Sequence, residues 1–190
     1  ALLEIRGLFY AAQGIDEQEF LLFTDSVLKR HSYIDSLLWA PLLTSSRQAL
    51  PGTAPGPSPA HNAGRSAPAS RGEVRVPVLL SASRAASVVA QGLDLNAISE
   101  LAPVFARARE SGKVAVSGRM EVARPGNQVA HVIYAVLPVY APGYARGTPD
   151  GQRPDPLGFV IGVYDIEELV HVAISLLEPR GVEVLVRDTT

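Results

Sequence analysis

Ser111-Gly112-Lys113, inside the stretch ARARESGKVAVSGRM at 106–120, is the first group of residues that could do chemistry. A phosphate-cradling loop needs a glycine four residues before its Gly-Lys and a hydroxyl after the lysine, and it runs strand, loop, helix. Here Arg107 and Val114 hold those positions, and the pattern runs helix, loop, strand. The plainer reading makes Gly112 the left-handed residue that ends a helix, with Arg107 and Arg109 serving its last turn. A nucleic-acid patch is not expected either, because no aromatic residues interleave with the basic ones. His31, His61, His131 and His171 lack metal-ligand spacing. His131, in a strand, reads as a hydrogen-bonded core or pocket residue. Ser117-Gly118 lacks the glycine frame of a nucleophile elbow, and Glu167-Glu168 suits a helix start better than an acid and base pair. With no cysteine, thiolate catalysis and disulfides are excluded. No catalytic set, metal or cofactor is expected.

The elements that must position such residues follow from periodicity. Leu2, Ile5, Leu8, Phe9 and Ala12 recur at helical spacing, serving either a core or a dimer seam. Asp16 with Glu19 forms a helix-start signature, and Phe20, Phe23, Val27 and Leu28 share a face of the helix that ends at Lys29-Arg30-His31. Strands are expected at 34–43, 74–80, 114–122, 129–140, 157–164 and 182–187. Helical segments are expected at 83–91 (weak), 97–111 and 166–177, with Asp165 as the N-cap of the last. Strand 129–140, VAHVIYAVLPVY, is apolar on both faces and should be covered on both. Residues 51–72 are Pro-, Gly-, Ala- and Ser-rich and read as a long surface excursion. Pro125-Gly126-Asn127 reads as a turn. The pattern is α+β with a mainly antiparallel sheet.

Composition narrows the function classes. A net charge of −2 is too near zero for a general nucleic-acid or anionic-membrane binder. No apolar run reaches the about 18 residues of a membrane span. Both ends of the sequence read as cuts in a longer chain, so flanking transmembrane helices are expected.

Four blocks, in order, resemble the CHASE domain of membrane receptors. They are IRGLFYAAQGIDEQEF (5–20) leading to HSYIDSLLWAPLLTSSRQAL (31–50), with Trp39, Pro41 and Arg47 in place; VPVLLSA (76–82) with QGLDL (91–95); ARARESGKVAVSG (106–118); and LPVYAP (137–142) with LGFVIGVYDIEELV (157–170). The resemblance implies an N-terminal helical stalk (1–30) followed by two tandem PAS-like lobes with antiparallel sheets, one membrane-distal (31–143) and one membrane-proximal (144–190). It implies a periplasmic or extracellular location between two transmembrane helices, dimerisation through the N-terminal helices, and signalling to a histidine kinase, diguanylate cyclase or phosphodiesterase. A small molecule would sit in the distal lobe, lined by Leu101, Phe105, Ser117, Met120, Tyr134 and Val136. Plant members that bind cytokinins carry an aspartate where this chain has Leu101, and threonines where it has Ser117 and Val136. Cytokinin binding is therefore not expected. A ligand-free dimerisation spacer of the same fold is the alternative, and an enzyme such as a hydrolase is a distant third.

Overall fold

The structure is a computed structural model that describes residues 2–11, 16–44, 74–84, 89–124, 128–141 and 154–175. The element order is α1 (Leu2–Ala11), α2 (Glu17–Arg30), β1 (Ile34–Pro41), β2 (Leu80–Ser83), α3 (Ala102–Ser111), β3 (Ala115–Val116), β4 (Met120–Arg124), β5 (Gln128–Val139), β6 (Gly158–Asp165) and α4 (Ile166–Ser175). The strands form one sheet in the order β2-β1-β6-β5-β3, with β4 pairing β5 beyond β3. Every pairing is antiparallel. The α+β class and antiparallel sheet are as the sequence predicts.

Alternation along β5 sorts the core onto two faces. Ala130, Val132, Tyr134 and Val136 join one cluster with Leu38, Phe159 and Ile161, roofed by Leu101, Val104, Phe105 and Ala108 at the α3 end. Ala135, Leu137 and Val139 join the other, with Leu37, Trp39 and Val160, against Leu2 and Ile5 of α1 and Phe20, Val27 and Leu28 of α2. Leu2 and Ile5 therefore serve the core. Leu3 and Leu22 stay largely exposed, at 61% and 76%.

Local signals explain the helix ends. Asp16 Oδ1 accepts the Glu19 N–H at 2.7 Å, the expected start of α2. The Arg84 guanidinium donates twice to the Leu28 carbonyl, tying the far end of α2 to the edge of β2. Gly112 has φ +65° and its N–H donates to the Ala108 carbonyl at 2.9 Å, so it ends α3 as expected. The neighbouring arginines do not serve that turn. Arg107 donates to the Val116 carbonyl of β3 at 2.7 Å, and Arg109 pairs with Asp155 at 2.7 Å.

Several boundaries shift for identifiable reasons. The helix expected at 97–111 starts only at Ala102, because Pro103 has no N–H and is tolerated only in a first turn. Upstream, Leu95–Ala97 is a short 3-10 turn capped by Asp94. The strand expected at 74–80 is reduced to isolated bridges at Arg75 and Pro77, where the proline cannot donate to a ladder, and regular pairing starts at Leu80. Residues 114–122 split into β3 and β4 around Ser117–Arg119.

The largest correction concerns β6. Its segment is expected to lie in a second lobe starting at residue 144, but β6 runs between β1 and β5 in the same sheet, so that sheet extends through Asp165. Six successive residues of β6, Gly158–Val163, are buried, and a strand apolar on both faces is stable only where both faces are covered. A Cβ on Gly158 would lie 2.6 Å from the Ala40 carbonyl oxygen and 2.7 Å from Pro41 Cα, so only glycine lets β6 approach β1 this closely. The segment 51–72, the turn 125–127, Arg47, His61 and the strand 182–187 lie outside the described residues, as does part of the segment 83–91.

Candidate functional site

The six residues predicted to line a pocket meet on the α3 face of the sheet. Leu101, Phe105, Tyr134 and Val136 are buried in one cluster, and Met120 packs half-buried against its margin. The Phe105 ring lies 5.0 Å from that of Phe159, tilted by 60°, and so fixes α3 on β6. Ser117 is buried beside Tyr134, but its hydroxyl is already committed. Its Oγ accepts the Tyr134 N–H at 2.9 Å and donates to the Gly118 carbonyl at 2.7 Å. A side-chain oxygen thus takes the place of a ladder carbonyl, which is why β3 ends there.

Tyr134 is different. It is only 4% exposed, and its hydroxyl has no hydrogen-bond partner among the described residues. Burial, and secondarily the nearby Asp35 carboxylate, push its pKa up. Tyr164 is pushed up too, by burial first and then by Tyr33, whose ring stacks against it at 6.2 Å. A phenol with a raised folded-state value contributes stability that is fully present below the ordinary value of about 10 and is lost as pH rises through the folded value. Melting temperature should therefore fall steeply above about pH 10. Phenolate absorbance should show two of the six tyrosines ionising only as the chain unfolds. Tyr134→Phe and Tyr164→Phe should each flatten that alkaline limb.

One end of the same face carries a polar group that the sequence did not reveal. Pairing between β1 and β6 slips at Ile34/Ser36, a bulge that leaves Asp35 out of the ladder. The Ser36 hydroxyl donates to Asp35 Oδ2 at 2.7 Å and meets the Ser83 hydroxyl, directly across on β2, at 2.8 Å. One nitrogen of Arg124 bridges Asp35 Oδ1 and Asp165 Oδ2, both at 2.8 Å. Asp165 is also the N-cap expected for α4, its Oδ1 accepting the Glu168 N–H at 3.1 Å. Arg124 lies 89 residues from Asp35 and 41 from Asp165, so no motif spacing could link them. The only local hint was Asp35-Ser36, a polar pair inside the apolar strand IDSLLWAP.

Two other candidates resolve differently. His131 is neither core nor pocket. It is partly exposed on β5, 3.5 Å from Glu121 and 3.6 Å from Glu167, so Glu167 also faces an imidazole. Among the described residues, no group of three or more His, Cys, Asp or Glu could hold a metal ion.

An antiparallel sheet sandwiched between helices, with an apolar cluster edged by an ionic group, defines an α+β module. No helix among the described residues is long and apolar enough to cross a membrane. The chain belongs to the CHASE domain family, whose profile matches residues 13–190. CHASE is an extracellular sensory domain and is not catalytic. No curated protein matches the chain. Among solved structures the chain is similar to a "Methyl-accepting Chemotaxis protein X", at 15% identity and a TM-score of 0.46. The match covers 91% of this chain and 54% of that one, so the chain spans about half the length of that structure.

Proposed function

We propose that this chain is the periplasmic ligand-sensing domain of a bacterial transmembrane receptor, taking a small molecule on the α3 face of its sheet. The observation that carries this reading is Tyr134, whose hydroxyl has no partner among the described residues and which sits in an otherwise apolar cluster. Buried hydroxyls are ordinarily satisfied, so one left open is suited to a ligand or a bound water. Ligand binding would bias the stalk helices and, through flanking transmembrane segments, a cytoplasmic histidine kinase, diguanylate cyclase or phosphodiesterase. In this reading α1 and α2 form the stalk, and two copies dimerise along it. The sheet through Asp165 is the distal PAS-like lobe.

A ligand-free spacer is the second reading, supported by Leu101 and Val136, which are fully buried and already fill the α3 face. A thermal-shift screen of small metabolites separates the two. A ligand that binds only the native state raises the melting temperature, by about 2.7 kcal/mol of stability at a hundredfold excess over Kd. Met120→Ala should weaken a genuine hit, because that half-buried side chain can be cut back without opening the fully buried core. No shift across acids, amines, purines and lipids would favour the spacer.

A further inference from the structure

We infer that the molecule sensed on this face carries a cationic group, an ammonium or amidinium, seated on the Asp35 and Asp165 carboxylates with the Tyr134 hydroxyl accepting one of its protons. This rests on the reading of the α3 face as a binding site, and it names the chemistry of the ligand.

Charge is the first support. Among the described residues one guanidinium, Arg124, faces two carboxylates, so this group holds one negative charge in excess. The side chains are 28% exposed for Arg124, 14% for Asp35 and 15% for Asp165, too enclosed for water alone to compensate the excess fully. Arg84, whose backbone N–H donates to the Asp35 carbonyl, does not supply the missing charge, because its guanidinium is turned to the Leu28 carbonyl.

Tyr134 is the second, independent support. Val163 of β6 lies opposite both Tyr134 of β5 and Ser36 of β1, so these three residues form one row on the α3 face. The bulge sets Asp35 beside Ser36, and the Asp35 charge is felt at the Tyr134 hydroxyl. Tyr134, a residue only 4% exposed whose hydroxyl has no partner among the described residues, thus stands in the row that leads to the ionic group. A metal ion fits this arrangement poorly. The carboxylate oxygens already accept from Arg124, Ser36 and the Glu168 N–H, and the guanidinium would repel a bare cation. A ligand carboxylate would meet two like charges. An ammonium presents three donors to carboxylate lone pairs that one donor each leaves open.

The test titrates the chain with matched sets that differ only in the polar group: benzylamine, benzyl alcohol and benzoate; and putrescine, butanediol and succinate. Only the amines should raise the melting temperature. Asp35→Asn should weaken amine binding about tenfold or more by calorimetry. Tyr134→Phe should weaken it about threefold to tenfold, yet leave the ligand-free melting temperature unchanged or higher, since no internal hydrogen bond is lost. Alcohols or carboxylates binding as well as the amines would overturn the assignment of charge while leaving the face a binding site. So would amine binding that survives Asp35→Asn, or a metabolite hit without a cation. A larger cationic hit lost in Asp35→Asn would support the assignment even if both small amines were silent. Silence from both sets and from the metabolite screen would overturn the sensing reading, and the inference with it.

Discussion

Phe159→Ala should lower the stability of the chain by about 3–5 kcal/mol, enough to leave a domain of ordinary stability largely unfolded near its working temperature. Phe159 is fully buried, lies opposite Ala40 on one side and Pro138 on the other, and carries the ring on which Phe105 docks. The loss has a transfer part and a cavity part. The cavity part should be large here, because β6 is laddered to β1 and β5 and its backbone cannot sink into the space. The midpoint of denaturant unfolding measures the effect. Phe159→Leu should retain most of the stability. A loss below about 1 kcal/mol for the alanine would show that Phe105 and α3 settle inward to refill the site.

Arg124→Ala should cost about 2–4 kcal/mol, between the values for an exposed and a fully buried ion pair. The lost hydrogen bonds are the smaller part. Removing the guanidinium leaves Asp35 and Asp165 facing each other, enclosed and uncompensated. One signature separates this from a simple packing defect. Adding Asp35→Asn to Arg124→Ala should restore part of the loss, a non-additivity read from a double-mutant cycle. No rescue by Asp35→Asn would assign Arg124 to packing alone.

Features that depend on a few neighbouring residues were readable from the sequence. The Asp16 and Asp165 caps, the left-handed Gly112 and the doubly buried β5 each follow from residues within one element. The six residues put forward on the family resemblance share the α3 face of the sheet, a placement that periodicity alone could not supply. The rest depends on pairing between distant segments. Nothing in LGFVIGVY says that it inserts between β1 and β5 rather than starting a new sheet, since a strand apolar on both faces suits either place. The Asp35, Arg124 and Asp165 group needs a bulge in β1, the register of β4 on β5 and the end of β6 all at once. Ser117 reads from the sequence as a buried hydroxyl, but only the cross-strand register reveals that it replaces a ladder carbonyl.

Asp165 belongs to two structures at once. One oxygen holds Arg124 at the rim of the α3 face, and the other holds the first turn of α4. Behind it stands a strand bonded along both edges, which can shift as a rod but cannot stretch. Ahead of it runs a helix with no fully buried residue, which can re-seat without breaking a core. Any pull on the rim is therefore delivered to α4 at its root, as a change of direction rather than a loss of helix. The sheet and the helix work like a fixed spindle and a tiller, joined at the Asp165 carboxylate and braced by Glu167 beside His131.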